Sequence, residues 1–312
     1  RYTGKKIRVG DIDIAYRIFG NGGPSFLLIS GASSTMESWE PSILRALSSN
    51  HTIIVFDNQR VGNTNGIKPF SIEQFANDTA SLLNALKIQK TADVLGFSMG
   101  SFVAQELAVT HPENVIRLVL YEIIGGKEGI PQSPQIVKMA RDLTNTIVNN
   151  TSIDPQELKT FLSLQYGARW MKLHPNYLET IPIQVPQFKD LFHGISHNTA
   201  LQQFKSVQSW MATNWSGICD NLSKISDPTL VITGTDDVVV PSANSLVIAA
   251  KVPGIWVVQI KDAGHALMSQ YPYKFNKVLQ RFLSITTKIL LDKKIVIIYH
   301  HRTYVIRLGS FF

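Results

Sequence analysis

Short apolar runs alternate with helical segments along most of the chain, and this alternation limits the fold more than any other feature of the sequence. Runs that predict buried strands lie at 26–29, 53–56, 93–96, 115–121, 229–233 and 256–260. Helical patterns separate them; Ser71 and Gln74, for example, resemble a capping box at a helix start. Such alternation is typical of a parallel sheet covered by helices on both faces. The sequence therefore predicts an α/β protein with a mostly parallel central sheet, preceded by a hairpin at 7–19.

The composition excludes a disordered, collagen-like or disulfide-stapled protein. The chain has 312 residues, of which 44% are hydrophobic, so it can bury a core without disulfides or metals. Its one cysteine, Cys219, cannot form an internal disulfide, which favours a reducing, cytoplasmic location. No apolar run reaches the roughly 18 residues of a membrane span. We therefore expect no membrane-spanning segment.

The formal charge of +7 is concentrated near one end of the chain. Residues 285–312 hold five of the 30 basic residues and one of the 23 acidic residues, which leaves 25 basic and 22 acidic residues elsewhere. A nearly balanced body lacks the basic surface that nucleic-acid binding requires. We expect no nucleic-acid partner.

A long helical segment interrupts the alternation. The alternation stops near 125 and resumes near 216, and the residues between carry six prolines and three of the five tryptophans. We therefore predict one α/β core, formed by residues 1–124 and 216–284, with an inserted helical cap at 125–215. Because the cap leaves and re-enters the core at strand ends, we expect it to cover that edge of the sheet.

Residues 285–312 are predicted to form a basic, β-rich tail. Its β-branched stretches at 295–299 and 304–308 predict two strands. An exposed hairpin of this kind has an unpaired edge unless a partner subunit covers it. A homodimer paired through the tail and an out-of-frame extension of the reading frame both explain it, and the sequence does not separate them.

The sharpest local motif follows the third predicted parallel strand. Residues 96–100 read GFSMG, a G-x-S-x-G pattern, and a helix follows. In that setting the pattern forms a tight turn that lifts the serine hydroxyl, here that of Ser98, out of the sheet. The amino terminus of the helix favours an oxyanion beside the serine. Ser98 is therefore predicted to be a nucleophile.

A serine nucleophile needs a base to remove its proton and an acid to orient that base. The loop after the fifth predicted strand contains Asp236 and Asp237, and the loop after the sixth contains His265. Open α/β sheets place their sites at the carboxyl ends of the strands. The order serine, acid, histidine predicts a triad of Ser98, His265 and an acid. Glu122, which ends the strand after the Ser98 helix, is an alternative acid, as is Asp236.

With these motifs in place, the sequence resembles the α/β-hydrolase superfamily, in its serine-nucleophile branch with a helical cap. The resemblance covers about residues 7–283 and includes a G-x-x-D-x-x-x-P acid loop at 234–241, whose register selects Asp237 over Asp236. It implies the α/β-hydrolase fold and the catalytic residues Ser98, Asp237 and His265. It also implies an oxyanion hole formed by the backbone N–H groups of Ala32 and Met99.

The chain departs from the family pattern in two loops. Where the family has His-Gly, this chain has Ser30 and Gly31, so a serine that can donate one hydrogen bond replaces the histidine that braces the oxyanion loop. We expect the oxyanion hole to persist with this replacement. The family's D-x-R-G-x-G loop reads DNQRVG at 57–62.

Residues expected above Ser98 indicate the kind of substrate. Aromatic side chains of the elbow and the cap are the expected pocket residues: Phe97, Tyr166, Trp170 and Trp210. An apolar roof suits an uncharged ester or related acyl compound better than a phosphate or a sugar. We therefore predict a serine hydrolase that acts on a small, largely apolar carboxylic ester or related acyl substrate. The histidines lack metal-ligand spacing, and no metal or cofactor is expected.

Other functions fit the same residues. A C–C bond hydrolase, or a perhydrolase or haloperoxidase-like enzyme, would use the same triad on other substrates. A ligand receptor on this scaffold would bind without multiple turnover. Ser98 excludes the enzymes of this fold that use an aspartate as the nucleophile.

Overall fold

The computed structural model describes residues 4–67, 69–88, 92–122, 129–148, 155–177, 194–211, 218–284, 295–299 and 303–306. Its strands are β1 (Lys5–Val9), β2 (Ile12–Phe19), β3 (Ser25–Ile29), β4 (Thr52–Phe56), β5 (Ala92–Phe97), β6 (Val115–Tyr121), β7 (Thr229–Gly234), β8 (Trp256–Ile260), β9 (Ile295–Tyr299) and β10 (Thr303–Ile306). Its α-helices are α1 (Pro41–Ser48), α2 (Ile72–Ala85), α3 (Met99–Thr110), α4 (Pro134–Val148), α5 (Pro155–Gln165), α6 (Ala168–Leu173), α7 (His197–Trp210), α8 (Asn244–Lys251), α9 (Leu267–Gln270) and α10 (Pro272–Leu283). None of the described helices has the length and apolar character needed to cross a membrane.

These strands form one sheet in the order β1-β2-β4-β3-β5-β6-β7-β8-β9-β10. β1 and β2 make the hairpin expected at 7–19, and β2 pairs antiparallel with β4. From β4 to β9 in this order, neighbouring strands are parallel. The predicted, mostly parallel α/β sheet is thus confirmed, and the carboxyl ends of β5, β6, β7 and β8 meet at one edge.

The central strands bury side chains on both faces of the sheet. Phe26 and Leu28 of β3 belong to one apolar cluster with residues of α1 and α10, whereas Leu27 and Ile29 belong to another with residues of α2 and α3. Successive side chains of a strand point to opposite faces, so a continuous apolar run fills both clusters. The helices therefore cover both faces of the sheet, as predicted.

Helices α4 to α7 lie between β6 and β7 in the chain, where the cap is predicted. Both predicted boundaries of the cap, 124/125 and 215/216, fall outside the described residues. Gln165 O at the end of α5 accepts a hydrogen bond from Ala266 N (2.7 Å), and Gly167 packs closely against Gly264. The inserted helices therefore contact the loop that contains His265.

The two described strands of the tail extend the sheet of their own chain, and the homodimer through the tail stays a prediction. β9 pairs in parallel with β8 over five residues, and β10 pairs antiparallel with β9. An edge strand has unpaired backbone groups, and β9 satisfies those of β8. The second strand is described over Thr303–Ile306, and residues 307 and 308 of the predicted strand lie outside the described residues.

A carboxyl group is buried between α3 and α7. Oε2 of Glu106 lies 3.5 Å from Nε1 of Trp210, and both side chains are buried. The Trp210 ring stacks on Phe102 with a centroid distance of 5.0 Å, so this tryptophan packs in the core and not in the pocket predicted for it. Burial, and then the charge of Glu73, raises the pKa of Glu106 from its ordinary 4.5 to about 7.

The raised pKa of Glu106 makes stability depend on pH. The folded chain holds this proton more tightly than the unfolded chain, so the stabilisation is complete below pH 4.5 and is lost as the pH rises through about 7. Glu106→Gln cannot ionise, so its melting temperature relative to that of wild type should rise from about pH 4.5 to about pH 7 and level off above that. Thermal denaturation checks this, with the exposed Glu113→Gln as the control. A constant difference between Glu106→Gln and wild type would contradict the assignment.

Candidate active site

Ser98 occupies a strained turn between β5 and α3. Its φ and ψ angles are 51° and −122°, which residues other than glycine rarely adopt. Hydrogen bonds from Ser98 N to Tyr121 O (2.9 Å) and from Ser101 N to Ser98 O (2.8 Å) fix the turn. The half-buried Ser98 therefore lies at the amino terminus of α3, as the G-x-S-x-G pattern predicts.

The glycines around Ser98 are required by close approach of the backbone. A Cβ atom on Gly96 would overlap the carbonyl oxygen of Gly100, and one on Gly100 would overlap the carbonyl oxygen of Ile29. A Cβ atom on Gly31 would lie 3.2 Å from Cβ of Ser98. The loop after β3 thus passes directly beside Ser98.

His265 and Asp237 meet at the carboxyl ends of β8 and β7. Nδ1 of His265 lies 2.9 Å from Oδ2 of Asp237, and both side chains are buried. Oδ1 of Asp237 accepts hydrogen bonds from the backbone N–H groups of Val239 (2.8 Å) and Val240 (2.9 Å). The carboxylate favours the tautomer with its proton on Nδ1, so Nε2 is the basic nitrogen.

Tyr121 holds the histidine loop, a role that the sequence analysis missed. Its hydroxyl donates to His265 O (2.8 Å) and accepts from Met268 N (3.0 Å). The Tyr121 ring stacks on Phe97, and the Phe97 ring centroid lies 5.3 Å from that of His265. A tyrosine that ends a buried strand carries no sequence signal for this role.

Phe97 connects Ser98 and His265 in space. It directly precedes the serine in the chain, and its ring packs against the imidazole. The described residues include no hydrogen bond between the side chains of Ser98 and His265. In unliganded hydrolases this contact is often long and tightens when substrate binds.

Glu122, one of the alternative acids, contacts Asp237. Its buried carboxyl group is hydrogen-bonded to Asp237 and also accepts from Thr233 Oγ1 (2.9 Å) and Gly234 N (3.3 Å). The hydrogen bond to Nδ1 of His265 comes from Asp237. Glu122 thus lies behind the Asp237–His265 pair, which favours Asp237 as the orienting acid.

The two buried acids have opposite protonation preferences. Burial, reinforced by the charge of Asp237, raises the pKa of Glu122 well above its ordinary value. Burial alone would raise the pKa of Asp237 as well, but the charge of His265 and a hydrogen bond from Glu122 hold that pKa below its ordinary value. The geometry therefore favours a protonated Glu122 that donates to an ionised Asp237.

Asp236, the other alternative acid, lies against the inserted helices. Its Oδ1 accepts a hydrogen bond from Thr235 Oγ1 (3.0 Å), and its side chain packs against Gly167 between α5 and α6. This orientation favours Asp237 over Asp236, in agreement with the register of the acid loop.

The two residues whose amides are predicted to form the oxyanion hole lie near Ser98, one next to it in the chain and the other through its neighbour Gly31. Met99 is buried at the first position of α3, directly after the serine. Ala32 follows Gly31, which packs against Ser98. Helix N-termini and loop amides at this place suit a developing oxyanion.

Side-chain hydrogen bonds restrain the loop that carries Ala32. Ser30 Oγ donates to Thr35 O (3.3 Å), so the serine that stands where the family has histidine makes one hydrogen bond, as expected. Ser33 N donates to Oε1 of Gln203 on α7 (2.7 Å). Gln203 was not predicted from the sequence, because a glutamine on a helix has no distinguishing pattern.

Of the predicted pocket residues, Tyr166 and Trp170 form an aromatic group between α5 and α6. Their rings stack with a centroid distance of 5.0 Å, and Tyr177 packs against them at 6.0 Å and 5.8 Å. Burial raises the pKa of Tyr166 to about 12, so its hydroxyl is neutral near pH 7. Because Gln165 binds the backbone of Ala266, this aromatic group lies beside the histidine loop.

A cavity between α4 and α5 lies away from the candidate site. Its volume is about 410 Å³, and its lining includes the ion pair of Lys138 and Asp142 (2.6 Å). It contains none of the predicted site residues.

Among the described residues, one group of side chains has the spacing of metal ligands. The ligand atoms of Glu122, Asp237 and His265 lie within 4.8 Å of one another. However, Asp237 and His265 already share a hydrogen bond, and a protonated Glu122 lacks the charge that a cation favours. This arrangement suits proton transfer better than metal binding.

Comparisons with known proteins show which family the chain resembles. A family model described as the alpha/beta hydrolase fold matches residues 24–271, a span that contains Ser98, Asp237 and His265. A protein of Azorhizobium caulinodans with the provisional name carbamate hydrolase RutD is 27% identical over 274 residues, which cover 88% of this chain and 96% of that protein. A protein of Mycobacterium tuberculosis with the provisional name non-heme bromoperoxidase BpoC is 27% identical over 286 residues, or 88% of this chain and 98% of that protein.

A solved structure has the same fold. The enol-lactonase from Burkholderia xenovorans LB400 matches with a TM-score of 0.73 and 22% identity, over 90% of this chain and 100% of that one. At this identity the match concerns the fold alone.

Proposed function

The chain belongs to the α/β hydrolase family, and we propose that it is a serine hydrolase that cleaves a small, largely apolar carboxylic ester or a related acyl compound. The observation that carries the proposal is the buried His265–Asp237 pair beside the strained turn of Ser98. The three residues come from the carboxyl ends of β5, β7 and β8, which parallel pairing brings to one edge of the sheet.

Acylation begins with attack of Ser98 Oγ on the substrate carbonyl carbon. Nε2 of His265 takes the hydroxyl proton, and Asp237 stabilises the resulting imidazolium. The backbone N–H groups of Ala32 and Met99 stabilise the tetrahedral oxyanion. When the oxyanion collapses, the bond to the leaving group breaks, and His265 gives its proton to that group.

Deacylation uses the same groups in reverse. His265 takes a proton from a water molecule as the water oxygen attacks the acyl carbon on Ser98. The second tetrahedral intermediate collapses to release the carboxylic acid, and the proton on His265 returns to Ser98 Oγ. No redox step or cofactor enters this sequence.

The proposed substrate class is supported by the surroundings of the triad. Phe97 contacts His265, and the group of Tyr166, Trp170 and Tyr177 lies beside the histidine loop. Residues 125–215 serve in this proposal as the cap that covers Ser98. The carbamate in the name of one similar protein also presents a carbonyl carbon that bears a leaving group, as an ester does.

The BpoC relative favours one second candidate, a perhydrolase-like activity. Hydrogen peroxide would then replace water in deacylation, so that the acyl group leaves Ser98 as a peroxycarboxylic acid. The acyl-enzyme is common to both reactions.

Hydrolysis of p-nitrophenyl esters from acetate to decanoate tests the proposed function. We expect wild type to turn over the shorter esters, and Ser98→Ala to lower kcat by about 1,000-fold or more, because no other group replaces the nucleophile. Equal activity in both proteins would remove Ser98 from the mechanism. If wild type binds a ligand but does not turn over any ester, the alternative function of a ligand receptor on this scaffold would be favoured.

The identity of the acid is tested by three matched substitutions. Asp237→Asn should lower kcat about 100- to 10,000-fold, because an amide neither stabilises the imidazolium nor fixes the same tautomer. Glu122→Gln preserves a neutral donor toward Asp237 and should lower kcat less than about threefold, as should the control Asp236→Asn. A loss with Glu122→Gln that equals the loss with Asp237→Asn would transfer the acid role to Glu122.

A further inference from the structure

The loop after β3 is held by a side chain of α7. The backbone N–H of Ser33 donates a hydrogen bond of 2.7 Å to Oε1 of Gln203, which is 170 residues away in the chain. Only the oxygen of a carboxamide can accept this hydrogen bond, so the contact fixes which amide atom faces the loop. Ser33 directly follows Ala32, whose N–H is assigned to the oxyanion hole.

The carboxamide of Gln203 is buried, and the hydrogen bond to Ser33 is the contact that satisfies its oxygen. It is fully buried, with 0% of its surface exposed, and Nε2 lacks a hydrogen-bond partner within the described part of the chain. Burial of an unpartnered polar atom is unfavourable. The hydrogen bond to Ser33 therefore explains a glutamine here better than core packing does.

The backbone of the loop needs a restraint. Ser33 has a φ of 53°, in the left-handed region that disfavours residues other than glycine. Gly31 packs against Cβ of Ser98, so a shift of this loop would change the position of the Ala32 N–H relative to the serine. A hydrogen bond from a packed helix opposes such a shift.

Helix α7 is capped at its start and packs against α3 at its end. At its start, Ser196 Oγ accepts a hydrogen bond from Thr199 N (3.1 Å). At its end, Trp210 stacks on Phe102 of α3, the helix that begins directly after Ser98. The helix that holds the loop and the helix that follows the nucleophile thus pack together.

We propose that Gln203 is a positioning residue for the oxyanion hole. Its carboxamide oxygen holds the Ser33 N–H and thereby directs the Ala32 N–H toward the tetrahedral oxyanion on Ser98. It adds, from the inserted helices, a restraint on a loop in which Ser30 stands in place of histidine. This inference rests on the proposed serine mechanism. Because the oxyanion forms only after attack, the restraint acts on kcat more than on KM.

Two substitutions of Gln203 test this role. Gln203→Met has a similar length without an acceptor oxygen, and Gln203→Asn has a carboxamide that is one methylene too short to reach Ser33. Both should lower kcat for p-nitrophenyl butyrate about 10- to 100-fold, with KM within about threefold of wild type. Both should raise, by a similar factor, the inhibition constant of an alkyl trifluoromethyl ketone, whose adduct with Ser98 carries the same oxyanion.

Controls separate this inference from the proposed function. Gln208→Met changes an exposed glutamine of the same helix and should leave kcat, KM and the inhibition constant unchanged. Wild type and Ser98→Ala in the same assay report on the serine mechanism itself. If Ser98→Ala is inactive but both Gln203 variants match wild type in kcat and inhibition, the positioning role is wrong while the serine mechanism stands. A Gln203 effect on KM alone would also overturn the role, because it would indicate contact with substrate.

Discussion

The candidate site depends on the close approach of the α3 backbone to β3 and β5 at Ser98. Gly96 and Gly100 permit this approach, because a Cβ atom on either would overlap a backbone carbonyl oxygen. The strained turn that results presents the hydroxyl of Ser98 beside the loop of Ala32 and at the amino terminus of α3. Parallel strands then bring Asp237 and His265 to the same edge of the sheet.

Polar groups behind the Asp237–His265 pair restrict its geometry. Tyr121 holds the backbone of His265, and Glu122 lies behind Asp237 with a pKa raised by burial. A buried, protonated Glu122 donates to Asp237 without adding a second charge, so Asp237 can remain ionised in a buried place. Because Glu122 is neutral and Asp237 is charged, the buried Asp237 carboxylate can orient the imidazole of His265.

Much of this arrangement follows from local sequence patterns. The buried strands and the turn at Ser98 are set by short apolar runs and by closely spaced glycines, which act on neighbouring residues. The roles of Glu122 and Gln203 depend on contacts between distant segments, as does the packing of Trp210 in the core instead of the pocket. The pairing of β9 with β8 could not be predicted for the same reason, because the sequence of a strand does not specify which strand it pairs with.

Covalent labelling tests the central claim, that Ser98 is the nucleophile, most directly. The protein would be treated with a small alkyl fluorophosphonate, and intact-mass measurement and peptide mapping would locate the adduct. The proposed mechanism predicts one adduct per chain, on Ser98, with hydrolysis lost in step with labelling. An adduct on another residue, or an esterase activity that survives complete labelling of Ser98, would contradict it.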